Sequence, residues 1–238
     1  LASSVFILLP AFLSYRRKRR IRDSDTARDK VAKGPGYMLI YFFLIGLGFM
    51  MIEIVILQKF ILLLNHPVYA FAIVIFSFLL SAGTGSFISG RYNMIKMPGI
   101  RKIIYILCGT VLLFYLLLSL WEKILFLPLM VRVILAVIFI FPFGFFMGMP
   151  FPMGIRKLES FSSTTIPWAW CVNGCSSVLS SVLAIILALA WGFNVVLFCA
   201  IGSYLLAAEV INRMDKRAIV VKGGVKMYRH SGVKVYHL

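Results

Sequence analysis

Tyr37-Met-Leu-Ile-Tyr-Phe-Phe-Leu-Ile-Gly46-Leu-Gly48-Phe-Met-Met-Ile-Glu53-Ile-Val-Ile-Leu57 runs on through Gln58-Lys59-Phe60-Ile-Leu-Leu-Leu64 before Asn65-His66-Pro67 interrupts it. From Tyr37 to Leu57 the only formally charged residue is Glu53. A helix on the surface of a soluble protein keeps a polar face, whereas this run is apolar all round. It also reaches the roughly 20 residues that a helix needs to cross the hydrocarbon core of a bilayer. The stretch therefore predicts a transmembrane helix from Tyr37 to Leu57, with continuation to Leu64.

The same signal recurs downstream. Apolar runs predict further helices over Val68–Gly90, Ile103–Trp121, Leu129–Met149, Pro167–Trp191 and from the Gly192-Phe193-Asn194 turn to Ile211. The breaks between them carry turn chemistry: Pro98-Gly99 within Arg91–Lys102, Glu122-Lys123 followed by Pro128, and Pro150-Phe-Pro-Met-Gly154 followed by a loop with Arg156 and Lys157. Pro167 suits the first turn of the fifth helix. Upstream, Leu1–Tyr15 is apolar but shorter than a span, and its positive charges, Arg16 to Arg20, follow it rather than precede it as they would in a signal peptide. This predicts a fragment that opens inside a transmembrane helix. The expected organisation is all-α: a polytopic transmembrane helix bundle with a partial N-terminal helix at 1–15, a basic loop at 16–36, a six-helix domain at 37–211 and a basic tail at 212–238. In the tail, Gly224-Val-Lys-Met-Tyr-Arg-His230 is echoed by Gly232-Val-Lys-Val-Tyr-His-Leu238. The alternation allows a small β-hairpin or a basic segment touching anionic lipid.

Composition agrees. Of 238 residues, 61% are hydrophobic and 14% charged, against about 25% charged in a typical soluble domain, and mean hydropathy is +0.96. The formal charge of +17 is not the footprint of a nucleic-acid surface, because the cations lie between the spans. All 25 Lys and Arg except Lys59, Lys123 and Arg132 fall on one side of the predicted topology. That is the positive-inside pattern, which predicts a multi-pass inner (plasma) membrane protein with basic loops and C-terminal tail cytoplasmic. Trp121, Trp168, Trp170 and Trp191 fall near helix ends, where amphipathic rings prefer the interface. Cys108, Cys171, Cys175 and Cys199 have neither zinc-site spacing nor an adjoining His or acid, so no metal site is expected.

In lipid, close packing of small residues holds helices together. The expected packing positions are Ser81, Gly85 and Ser89 in the second helix, Gly144 and Gly148 in the fourth, and Gly174, Ser177 and Ser181 in the fifth. The candidate residues for chemistry are polar groups at membrane depth or its edge. Glu53 lies past the midpoint of its helix, and Gly46, seven residues earlier, shares its face. An intramembrane acid is a candidate for substrate or proton handling, and otherwise a protonated hydrogen-bond partner of a neighbouring helix. Gln58 and Lys59 follow in the outer half, where Lys59 is suited to snorkelling. His66 is a titratable turn residue, and Asn173 is suited to a bond between helices. Glu53, Lys59 and His66 cluster in sequence without having to share a helical face. There is no HExxH, no phosphate-binding loop and no GxSxG, so no catalytic residue is expected in this chain.

Several strings carry a likeness: Phe42-Phe-Leu-Ile-Gly-Leu-Gly-Phe-Met-Met-Ile-Glu53, Leu57-Gln-Lys-Phe60, His66-Pro-Val-Tyr-Ala70, Ser81-Ala-Gly-Thr-Gly-Ser86, Pro167-Trp-Ala-Trp170 and Asn173-Gly174. The chain from about 37 to 210 resembles the membrane portion of bacterial spermidine synthase-like proteins, in which transmembrane helices are fused to an aminopropyltransferase-type domain. The resemblance implies a Rossmann-like partner domain that binds decarboxylated S-adenosylmethionine and a polyamine. No cofactor loop or amine-binding loop of that domain can be placed on this sequence, so no cofactor is expected in the chain itself. Three functions follow as expectations. The first is a membrane module that anchors or serves such a domain, with the lipid bilayer and that domain as partners and no nucleic acid. The second is a secondary transporter for a cation or polyamine that uses Glu53. The third is a structural membrane protein without ligand.

Overall fold

The computed structural model describes residues 28–91, 98–117, 126–159, 163–223, 227–230 and 233–236, with side chains within 36–90, 99–117, 126–159 and 163–215. The helices are α1 (Arg28–Leu64), α2 (Pro67–Arg91), α3 (Pro98–Leu117), α4 (Leu129–Met147), α5 (Pro150–Glu159), α6 (Ile166–Trp191) and α7 (Phe193–Gly223), with a 3-10 turn at Ser163–Thr165 before α6. A hairpin follows, β1 (Met227–His230) and β2 (Val233–Tyr236), antiparallel with Met227 opposite Tyr236. Six segments are long and apolar enough to cross a membrane: Gly36–Leu64, Pro67–Gly90, Gly99–Leu117, Leu129–Glu159, Ser163–Trp191 and Phe193–Asp215. The all-α transmembrane bundle read from the sequence is the fold.

Four boundaries differ from expectation. The third helix starts at Pro98, inside the segment read as the Arg91–Lys102 loop, rather than at Ile103. The first helix starts at Arg28, inside the segment read as a loop, and the last runs to Gly223 rather than Ile211. The segment after Met149 is a helix, α5, and not a loop, so Arg156 and Lys157 lie on helical backbone. Two prolines and a glycine in five residues read as a break, but prolines in a first turn cost no hydrogen bond that the helix would make there. The partial helix at 1–15, the rest of the 16–36 loop before Arg28, and Trp121 lie outside the described residues.

The hub of the bundle is α1, which packs along α6 on one side and α7 on the other. Its glycines explain why. A Cβ on Gly48 would sit 2.7 Å from Tyr204 Cε2 of α7, and one on Gly46 would sit 2.8 Å from Asn173 Oδ1 of α6. The close approach brings hydroxyls onto backbone carbonyls of α1. Ser203 Oγ donates to Leu44 O (2.7 Å), Ser180 Oγ to Leu47 O (2.5 Å) and Ser177 Oγ to Gly46 O (3.4 Å). Such bonds in membranes are each worth about 0.6 kcal/mol on average.

A second seam joins α2 to α4, and here the expected small residues do pack. Gly144 lies against Ser81 and the Phe78 carbonyl, Gly85 against the backbone of Phe145, and Gly148 against the backbone of Ala82. Ser89 is buried and its carbonyl accepts from Arg156 Nη2 (2.6 Å). On α6 the expected row is only partly right. Ser177 faces α1, but Gly174 faces open space and Ser181 bonds back to Val178 O of its own helix. The packed row is Ser176, Ser180 and Ala184. Gly174 and Ser176 lie about 200° apart around a helix, so α6 turns the other of its two small faces inward.

After Gly148 and Met149 the chain enters α5, which lies against α1, α2, α3 and α6 at one end of the bundle. Tyr41 Oη donates to Pro150 O (2.8 Å), and Gly154 lets α5 rest on the rings of Tyr41 and Phe42. Tyr41→Phe leaves that buried carbonyl without its donor. It should lower stability by about 1 kcal/mol, read as a lower thermal midpoint in detergent with no change in helicity.

Polar contacts sort the two ends. At the α5 end Lys157 Nζ pairs with Asp215 Oδ1 (2.9 Å), Arg101 Nη1 donates to Asn212 Oδ1 (2.8 Å) and Arg156 reaches Ser89. Residues flanking the Arg91–Lys102 connection, the Arg156-Lys157 pair and the start of the tail thus meet, as the alternation of basic loops requires. At the opposite end Arg132 Nη1 donates to Leu63 O (2.7 Å), filling an orphan carbonyl where α1 stops. Asn65, in the left-handed region at φ 55°, then turns the chain into α2.

Candidate functional site

Buried residues of α1 meet α5 through Tyr41, α6 through Gly46, α7 through Gly48 and α3 through Phe60, while Phe49, Met50, Glu53 and Leu57 are only half-buried. The contacts explain this sector. Gly46 touches α6, and Phe49 meets Phe78 of α2 with ring centroids 6.2 Å apart. With a period of about 3.6 residues, Glu53 falls between those two directions. Both α2 and α6 pack on α1, yet among the described residues they touch each other slightly at most. The result is a groove with α1 as its floor and α2 and α6 as its walls. At its α5 end it is closed by rings in edge-on contact: Phe42 to Phe151 at 5.3 Å and Phe151 to Trp170 at 4.5 Å.

Two polar side chains belong to this groove. Glu53 forms no hydrogen bond or ion pair among the described residues. Asn173 sits at the level of Gly46, about 10 Å along the axis from Glu53. Its backbone carbonyl accepts from Ser176 Oγ (2.8 Å) and Ser177 Oγ (2.9 Å), while its side-chain amide has no partner among the described residues. A carboxyl group at membrane depth costs about 3 kcal/mol on insertion-based scales when ionised. Nothing within the described part of the bundle offsets that cost by pairing.

The other sequence candidates lie elsewhere. Gln58 is exposed and five residues on from Glu53, which turns it about 140° away. Lys59 points to the α7 side, with Nζ 6.0 Å from the centroid of the Phe193 ring. His66 is exposed in the turn, edge-on to Tyr69 at 6.0 Å. Glu53, Lys59 and His66 therefore form no common site, while Glu53 and Asn173 share one groove.

Sequence reasoning did not single out Phe42, Phe49, Phe78 and Phe151, which line or close the groove. In a chain with 21 Phe their number alone carries no signal. It also missed the Lys157–Asp215 pair. The one available hint is that Asp215 is an isolated acid among Arg213, Lys216 and Arg217. No cluster of three or more His, Cys, Asp or Glu suited to a metal ion occurs among the described residues. Compared with known protein families, curated sequences and solved structures, the chain matches none.

Proposed function

We propose that this chain is the integral membrane module of a spermidine synthase-like protein, anchoring or serving an aminopropyltransferase-type domain on the cytoplasmic side, where the basic connections lie. The observation that supports the reading is convergence. Three of the strings that carry the resemblance meet on α1, with Gly46 beside Asn173, Phe42 joined to Trp170 through edge-on contacts of Phe151, and Glu53 in the adjoining groove, while Ser81–Ser86 packs on α4. The test is expression of the complete reading frame that contains this chain, followed by assay of the membrane fraction. Aminopropyl transfer from decarboxylated S-adenosylmethionine to a diamine should remain with the membranes after high-salt washing. Activity that washes off, or a frame and neighbourhood that encode no Rossmann-like domain, would sink the proposal.

A second reading, a secondary transporter for a cation, is favoured by one observation: Glu53 has no partner among the described residues. In proteoliposomes Glu53→Gln should then reduce cation uptake at least tenfold while insertion stays intact. Equal uptake by the two proteins argues against this reading.

A further inference from the structure

We propose that the groove between α2 and α6 binds a single-headed lipophilic amine: one ammonium group on an alkyl chain, entering sideways from the bilayer. The inference rests on reading Glu53 as a ligand-handling group and does not need an appended domain. Glu53 supplies one negative charge, and the other unpartnered polar side chain placed in the groove among the described residues is the neutral amide of Asn173. One carboxylate neutralises one ammonium. A second cationic centre further along would meet only aromatic rings and an amide, where charge is poorly compensated. Between the two polar groups lies the Phe49–Phe78 pair, an apolar surface for methylenes.

Geometry also fixes the direction of the ligand. The α5 end of the groove is stoppered by Phe42, Phe151 and Trp170. Among the described residues α2 and α6 touch each other slightly at most, and Glu53 between them is half-buried. The ammonium therefore sits at Glu53 and the chain points toward Asn173 and the edge-on rings of Phe42, Phe151 and Trp170. A polar substituent about 10 Å from the ammonium would reach the Asn173 amide. Trp170, 61% exposed and at the stoppered end, reports on the arrival of the chain.

The test uses the full chain in nanodiscs of zwitterionic lipid, with octylammonium, neutral octanol and 1,8-diaminooctane as probes. Thermal midpoint and tryptophan emission are followed as each is added, since a ligand that binds only the folded state raises the midpoint. Octylammonium should give a saturable rise, with apparent affinity at least tenfold above those of octanol and the diamine. Glu53→Gln should erase the difference between octylammonium and octanol, and His66→Ala should leave it unchanged. Equal shifts with octylammonium and octanol on the unaltered chain overturn the proposal, even if the Glu53 variant fails to fold. So does a diamine that binds as tightly as the monoamine, or full octylammonium selectivity in Glu53→Gln. Any of these results leaves the membrane-module reading standing, because that reading falls only with the membrane-bound transfer assay.

Discussion

Gly148→Leu is expected to disrupt the bundle, while Gly83→Ala, on the helix that Gly148 contacts, leaves it intact or slightly more stable. The two glycines occupy opposite environments. A Cβ on Gly148 would come within 2.8 Å of Ala82 Cα, whereas nothing lies within 4 Å of a Cβ on Gly83. Overpacking a core costs typically 1–3 kcal/mol when side chains can adjust. Here the obstacle is backbone, which cannot rotate out of the way. Gly85 meets the Phe145 backbone in the same manner from the other helix, so the seam has no slack to share. A loss of about 3 kcal/mol or more follows for Gly148→Leu. It should show as aggregation, or as a large fall in thermal midpoint on size-exclusion after heating. For Gly83→Ala the helix-propensity gain is at most about 1 kcal/mol. Matching midpoints for the two variants would mean that α2 and α4 are not in backbone contact.

Asp215→Ala should cost about 3–5 kcal/mol, the range for removing one partner of a buried ion pair. The Lys157 side chain is 4% exposed and Asp215 12%, and their 2.9 Å contact ties α5 to α7. Without Asp215, the Lys157 ammonium keeps its burial and loses the carboxylate 2.9 Å from it. Its dehydration, rather than the lost attraction, dominates the penalty. The pair is also imperfect, since Asp215 Oδ2 is buried without a hydrogen bond. Hence the double variant Lys157→Met/Asp215→Leu should recover most of the stability lost in Asp215→Ala. A double-mutant cycle on thermal or denaturant unfolding measures this coupling. An additive double variant would show that the two side chains do not interact.

The spans were legible because the hydrophobic runs are long and the cations between them fall on alternate loops. Gly85, Gly144 and Gly148 were legible because tight helix packing in lipid needs small residues. The facing of α6 was not. Gly174/Ser177/Ser181 and Ser176/Ser180/Ala184 are both small rows, and in lipid no polar–apolar contrast tells the inner from the outer. Helix α5 was misread because Pro150 and Pro152 look like breakers when their place in a first turn is not known. Glu53 was visible as an isolated acid. Its groove was not, because that depends on two helices both packing on α1 and touching each other slightly at most.

The central position of α1 also sets an order of assembly. The carbonyls of Leu44, Gly46 and Leu47 gain their hydroxyl donors only from residues 177–203, which emerge from the ribosome well over a hundred residues later. Until then the middle of α1 waits in the translocon or in lipid with its glycine face uncovered. Premature termination anywhere before α6 thus leaves a nascent chain in which α1 lacks both of its main neighbours. Such a chain presents itself to membrane proteases rather than settling into a smaller stable bundle.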